Sequence, residues 1–261
     1  MEKIVSKSND RIKYAVKICE SASFRKKEGL FFTEGARLCA DAAISGVLIK
    51  ELYVTEKALE KYPEYVRLAE NVAERCFVVS EEVATKISDT KNSQGVFCLC
   101  KMLDKKTNIG KIKYNGKYIA LESISNPSNF GAVVRTAEAV GLDGIIVSGG
   151  CDIYNPKSQR AAMGSLFRLN VIETDDLPQL LNELKAKGMK VYAGVPADNA
   201  RKLTEVDMTG GVVSIIGNEG NGITAETCSV ATELVTIPMK GRAESLNAAS
   251  AAAIIIWEMM R

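Results

Sequence analysis

Six short apolar runs punctuate the chain after residue 118: Tyr118–Glu122, Gly144–Val147, Arg168–Ile172, Lys190–Ala193, Gly211–Ile216 and Leu234–Ile237. Helical patterns separate them. Asn129–Val140 carries apolar residues at 130, 133, 134, 137 and 140, and Ser245–Met260 is Ala-rich and apolar. Near-continuous apolar strands alternating with helices predict a parallel sheet covered on both faces. Few other architectures accommodate that rhythm.

A second α/β pattern precedes it. Asn9–Glu20 has a helical stripe at 12, 15, 16 and 19. Gly29–Phe32 is a short apolar run, and Thr33 is predicted to cap a helix through Leu38 and Ala43. Val47–Val54, Cys76–Val79 and Gly95–Cys100 read as strands, and Glu81–Ile87 as a helix. Between the patterns, KMLDKKTNIGKIKYNGK (101–117) holds six lysines and one acid, a linker composition. The spacing therefore predicts an α/β domain over 1–100, a lysine-rich linker over 101–117 and an α/β domain over 118–261.

Charge divides at the same seam. Residues 1–118 hold 22 Lys+Arg against 16 Asp+Glu, and residues 119–261 hold 12 against 16. Lys7, Arg11, Lys13, Arg25, Lys26, Lys27, Lys105 and Lys106 are the cations expected to meet a polyanion. With no histidine, the chain cannot run Ser-His-Asp or Cys-His chemistry or hold His-ligated zinc. Its seven cysteines contain no CxxC, so reduced thiols in a cytoplasmic protein without a metal are expected. No apolar run approaches 18 residues, and the N-terminus lacks an apolar signal core, so no membrane association is expected.

Three loops carry polar residues beyond what packing requires. In ESISNPSNFGAVVRTAEAVG (122–141), Asn126-Pro127 turns the chain, and Ser128 or Asn129 is placed to cap the helix bearing Arg135. Spacing alone allows Arg135 to be a solvated helix residue. In SIIGNEGNGI (214–223), Gly217, Gly220 and Gly222 follow a strand, but the spacing is neither dinucleotide-binding nor a P-loop. Glu219 there disfavours a phosphate and favours a neutral or cationic ligand. TIPMKGRAESLNAASAAAIIIWEM (236–259) joins a strand to the last helix, with Ser245 and Asn247 at the junction.

In this order, NPSNFGAVVRTAEAVG, GNEGNG and IPMKGRAESLNAASAAA resemble the three motifs of the SpoU-type (TrmH-like) RNA ribose 2′-O-methyltransferases of the SPOUT superfamily. RAAMGSLFRLNV (160–171) is similar to the segment between motifs, and IVSKSNDRIKYAVKI with FRKKEGLFFTEGARL to the family's N-terminal domain. One departure is Asn126, where many members carry an acid. The resemblance implies a trefoil-knotted, parallel-sheet catalytic domain, with the knot over roughly residues 212–261, preceded by a small ribosomal-protein-like α/β sandwich. It implies S-adenosylmethionine as cofactor, an obligate homodimer, and an RNA substrate, with ribosomal RNA ahead of tRNA. By motif matching, Arg135, Asn129, Glu219, Ser245 and Asn247 are the catalytic set. Gly194, Gly217, Asn218, Ile237, Met239 and Leu246 are the cofactor-binding set. Methyl transfer from a sulfonium releases a neutral thioether and needs no general acid, so the missing histidines are no obstacle. A non-catalytic RNA-binding or assembly protein, a nicotinamide-dependent dehydrogenase and a methyltransferase for another acceptor are the alternatives.

Overall fold

The computed structural model describes residues 1–105, 107–197 and 199–261, and these divide into two compact units. The first comprises Met1–Leu103 and Tyr154–Phe167; the second comprises Asp104–Ile153 and Arg168–Arg261.

The first unit runs β1 (Glu2–Ile4), α1 (Asp10–Glu20), α2 (Ala22–Glu28), β2 (Leu30–Glu34), α3 (Ala36–Ile44), β3 (Ile49–Thr55), α4 (Glu56–Lys61), α5 (Pro63–Glu70), β4 (Arg75–Val79), α6 (Glu81–Ile87) and β5 (Val96–Lys101). Its five strands form one mixed sheet ordered β1-β4-β3-β5-β2. The helix starts obey local chemistry. Asn9 caps α1 by accepting from Arg11 N, and Ser80 caps α6 by accepting from Val83 N. Ile12, Ala15, Ile18 and Cys19 of α1 are buried, and all four join Phe32, Tyr53, Phe77 and Phe97 in the core.

Thr33 does not cap a helix. The antiparallel pairing of β2 with β5 continues to Glu34↔Phe97, so Thr33 is buried in the strand. The helix starts after Gly35, and Gln94 Oε1 accepts from Ala36 N at 2.8 Å. A long-range ladder overrides the local capping signal.

The second unit begins in the lysine-rich seam. Thr107–Lys111 forms a 3-10 turn, and Asn108 Nδ2 donates to Val171 O at 2.9 Å. Then come β6 (Lys117–Glu122), α7 (Pro127–Ala139) and β7 (Gly144–Ser148). The chain next supplies α8 (Pro156–Ala162) and α9 (Ser165–Arg168), most of which pack with the first unit. There Gln159 Nε2 donates to Phe32 O at 2.8 Å, and Tyr154 stacks on Phe31. The continuous domain expected over 118–261 is thus interrupted by Tyr154–Phe167.

The unit resumes with β8 (Val171–Glu173), α10 (Leu177–Ala186), β9 (Lys190–Gly194), β10 (Arg201–Lys202), β11 (Val212–Ile216), α11 (Ala225–Val230), β12 (Glu233–Thr236) and α12 (Ala248–Met260). Arg168–Leu169 precedes β8 because Arg168 closes α9. All seven strands are parallel, in the order β10-β12-β9-β11-β6-β7-β8. Every residue of β11 is buried, as a central strand covered on both faces requires. β6 pairs with β7 on one side and with β11 on the other. The strand order therefore divides at β6, with β7 and β8 on one side and β11, β9, β12 and β10 on the other, and the crevice at such a switch point is where open α/β sheets bind ligands.

Candidate active site

The strand ends β9, β11 and β12 open into one cleft of about 430 Å³. Gly194, Gly217, Asn218, Ile237, Met239 and Leu246 all line it, as do Glu219, Ser245 and Asn247. Ile216, Val235 and Ile255 add apolar wall. A cavity of this size with apolar walls and few convergent polar groups suits a nucleoside-sized ligand.

The glycine loop is a closed turn. Asn218 N donates to Gly222 O at 3.0 Å, and Gly222 N to Asn218 O at 2.9 Å. Gly222 has φ 69°, conformational space that favours glycine. Asn218 Oδ1 accepts from Gly220 N and Asn221 N, and its Nδ2 donates to Ser123 O at 2.8 Å. This last bond ties the loop after β11 to the loop after β6.

Glu219 strengthens that tie. Its Oε2 accepts from Ser125 N (3.0 Å) and Ser125 Oγ (2.8 Å), and its Oε1 from Asn126 N (3.2 Å) and Asn129 Nδ2 (2.8 Å). Asn129 Oδ1 accepts from Asn247 Nδ2 at 3.1 Å. Asn247 Oδ1 in turn caps α12 by accepting from Ala249 N and Ser250 N. One relay therefore joins the glycine loop, α7 and α12. Burial pushes the Glu219 carboxyl up, but hydrogen bonds from Ser125 N–H, the Asn129 amide and the Ser125 hydroxyl outweigh it and hold the carboxyl at about 2. At neutral pH Glu219 is an ionised acceptor and cannot donate a proton.

A pH signature follows. Because the folded-state pKa lies below the ordinary value of 4.5, the stabilisation from Glu219 is complete above about pH 4.5 and disappears as pH falls towards 2. Glu219→Gln, which cannot satisfy all four donors, is expected to cost about 1 kcal/mol at pH 7, a modest value because the side chain is solvent-exposed. Urea midpoints at pH 7 and pH 3 check this: the gap between wild type and variant should narrow at pH 3. A gap that widens at low pH contradicts the assignment.

The helix boundaries need two corrections. Asn126, not Ser128 or Asn129, caps α7: it accepts from Ser128 N, with Pro127 in the first turn. This frees the Asn129 side chain, on a residue 9% exposed, for the relay. The last helix starts at Ala248 because Asn247 is its cap, so Ser245 lies outside the helix, on the cleft.

Arg135 is exposed on α7 and does not line the cleft of its own chain. Its side chain makes no hydrogen bond or ion pair among the described residues. Three residues outside the motif assignments support the site. Ser125 is the main partner of Glu219. Ser123 has φ 56°, an uncommon conformation for a non-glycine residue, at the point where β6 turns into the loop. Buried Glu122 accepts from Thr224 N, Thr224 Oγ1 and Thr227 Oγ1, anchoring the far end of the glycine loop. An acid closing an apolar strand is the one sequence signal that points to Glu122.

The expected polyanion-binding cations divide sharply. Arg25 is buried, with Nη1 donating at 2.7 Å to both Ile18 O and Cys19 O, where it satisfies the last carbonyls of α1. Lys105 is also buried, and burial lowers its pKa to about 8 although Glu173 opposes the shift. Neither can serve as an exposed phosphate contact. Arg11 pairs with Glu51, Lys13 with Asp10, and Lys7 with Glu82. Lys26 and Lys27 are exposed; Lys106 lies outside the described residues. Among the described residues no group of acids, cysteines or histidines is arranged to hold a metal, and no helix is long and apolar enough to cross a membrane.

Comparison with known proteins adds the following. Residues 116–257 match the SpoU rRNA methylase family, and residues 9–98 match the MRM3-like substrate binding domain. The chain is 30% identical over 260 residues to the 23S rRNA (guanosine(2553)-2′-O)-methyltransferase RlmP of Bacillus subtilis (strain 168), covering 99% of each. It is 34% identical over 142 residues to the 23S rRNA (uridine(2479)-2′-O)-methyltransferase of Streptomyces viridochromogenes, covering 52% of this chain and 50% of that one. Among solved structures it resembles an AdoMet-bound rRNA methyltransferase from Sinorhizobium meliloti, with a TM-score of 0.88 and 27% identity, covering 99% of this chain and 97% of the other.

Proposed function

Because the chain belongs to the SpoU rRNA methylase family, we propose that it transfers a methyl group from S-adenosylmethionine to a ribose 2′-hydroxyl of ribosomal RNA. The observation that carries this reading is the cleft, whose polar wall is fixed by the Asn247–Asn129–Glu219 relay. The residues present fit the cofactor. At Gly194 an added Cβ would lie 3.1 Å from Ile215 O and from Ile255 Cδ1, and at Gly217 it would strike the backbone of Gly222. Both glycines thus let the strand ends and the glycine turn pack closely beside the cleft, where a side chain would clash. Gly194, Gly217, Asn218, Ile237, Met239 and Leu246 would hold the adenosine and methionine portions, with backbone groups at Gly217, Ile237 and Leu246 on the adenine.

When bound, the cofactor supplies an electrophilic methyl group on a sulfonium. The chain's task is then alignment of the acceptor, which can be worth several kcal/mol. Asn129, Glu219, Ser245 and Asn247 form the polar wall beside the reacting centre. Glu219, ionised and saturated with donors, positions Asn129 and Ser125. Arg135 cannot act as a base, since a guanidinium stays protonated. Its planar fork grips the RNA phosphate and orients the 2′-hydroxyl, while water or a phosphate oxygen takes the proton.

The exposure of Arg135 away from its own cleft supports a homodimer in which each Arg135 serves the partner's site. α12 presents Ile254, Trp257 and Met260 to solvent, an apolar stripe that a second copy would cover. The knot over roughly 212–261, the role of residues 1–100 as the RNA-binding domain and action in the cytoplasm belong to the same reading. Ribosomal RNA is preferred to tRNA because the full-length relative is named for 23S rRNA.

Calorimetric titration tests the cofactor assignment. S-adenosylhomocysteine should bind with about one molecule per chain and NADH should not bind. Saturable NADH binding in the same cleft would overturn the assignment.

A further inference from the structure

The segment between β12 and α12 has an unusual status. From Pro238 to Leu246 no residue makes a hydrogen bond, ion pair or ring contact among the described residues. Yet Met239, Ser245 and Leu246 line the cleft. The segment is a strap, fixed at its two ends and bordering the pocket at both.

Its charges are equally distinctive. Ten Lys and Arg residues lie in the second unit beyond residue 118. Seven are engaged. Arg168, Lys190, Arg201, Lys202 and Arg261 form ion pairs, Lys185 donates to Val230 O, and Lys187 lies over Tyr114. Among the described residues the other three, Arg135, Lys240 and Arg242, have no partner. A surface that neutralises its cations elsewhere leaves these exposed and uncompensated. The strap's acid, Glu244, still leaves it net positive by one.

We infer that Lys240 and Arg242 are RNA-positioning residues: the strap holds the phosphates flanking the acceptor ribose at the mouth of the cleft. This rests on the proposed RNA methyl transfer. Phosphates are the ligand class indicated, because a methyl acceptor within an RNA chain brings one on either side of its ribose. The absence of internal bonds lets the strap adjust to a backbone without breaking native contacts. Arg135 then orients the hydroxyl, and the strap fixes the register of the strand.

The test compares full-length wild type with Lys240→Gln/Arg242→Gln, using deproteinised ribosomal RNA from cells lacking this protein. Arg201→Gln/Lys202→Gln is the charge-matched control, since both of its cations are already paired. For the strap variant, KM for RNA should rise about tenfold or more with kcat nearly unchanged. The slope of log affinity against log salt should shrink by about 1.4 to 1.8, as expected for two lost phosphate contacts. S-adenosylhomocysteine affinity should be unchanged, and Lys240→Arg/Arg242→Lys should behave as wild type. An unchanged KM and salt slope, or an equal effect from the control pair, overturns the assignment. If the wild type itself transfers no methyl group to RNA, the parent reading fails and the strap's role falls with it.

Discussion

Replacing Arg135 with alanine should cut the single-turnover methyl-transfer rate by two or more orders of magnitude, leaving S-adenosylhomocysteine affinity nearly unchanged. The loss corresponds to roughly 3 kcal/mol or more of transition-state stabilisation. Cofactor affinity should hold because Arg135 does not line the cleft of its own chain. Arg135→Lys should also be poor, since lysine keeps the charge but loses the planar fork. A merely solvated arginine on α7 would tolerate either change within about 0.5 kcal/mol and without kinetic effect. The proposed homodimer adds a second arm. Arg135→Ala chains mixed with chains whose pocket is destroyed should regain activity, because one site of each mixed dimer then has both an intact cleft and an intact arginine. Near-normal turnover of the alanine variant defeats the catalytic role, and absence of complementation defeats its action across subunits.

Gly217→Ala should abolish cofactor binding, lowering affinity beyond about a hundredfold, and is the pocket-defective partner for that mixing experiment. The added Cβ would lie 2.2 Å from Gly222 C, 2.3 Å from Gly222 O and 2.3 Å from Ile223 N. These are backbone atoms of the closed Asn218–Gly222 turn and cannot swing aside as a side chain could. Relief requires opening the turn, which breaks its two backbone bonds and disturbs the Glu219 and Asn218 links to the β6 loop. A conformational cost of about 3 kcal/mol in the bound state is consistent with the affinity loss. Unfolding should also occur several degrees lower. Gly220→Ala is the control, because its Cβ would meet only Asn218 Oδ1 at 3.6 Å. Equal affinity for S-adenosylhomocysteine in both variants would show that the turn is not part of the cofactor site.

The parts of the fold legible in the sequence are those with local causes. The helical stripe over Asn9–Glu20 and the helix over Glu81–Ile87 become α1 and α6, and the apolar runs YIALE and GVVSII become β6 and β11 of a parallel sheet. The elements that escaped are short or depend on distant partners. β1 is three residues paired with β4, and α4 and α5 are brief charged helices held by residues such as Ala58, Val66 and Ala69. Thr33 misleads because its strand partner lies more than sixty residues away. Arg25 misleads for a related reason: nothing in its neighbourhood announces that it turns inward onto the carbonyls of α1.

The site divides in the same manner. Charge and spacing leave Arg135 and the glycine loop ambiguous, and the motif resemblance is what brings the residues together. The Asn247–Asn129 bond spans 118 positions and Asn129–Glu219 spans 90, so no local pattern reveals the relay. Ser125 and Glu122 acquire their roles from the adjacency of β6 and β11, a fact of sheet order rather than of sequence.

The central claim is tested most directly by incubating the full chain with methyl-labelled S-adenosylmethionine and ribosomal RNA from cells lacking the protein, then digesting the RNA to nucleosides. Label should appear in a single 2′-O-methylated nucleoside, and its initial rate of appearance should fall about a hundredfold or more when Arg135→Ala replaces wild type. Label on a base, or none transferred by the wild-type protein, would contradict the account.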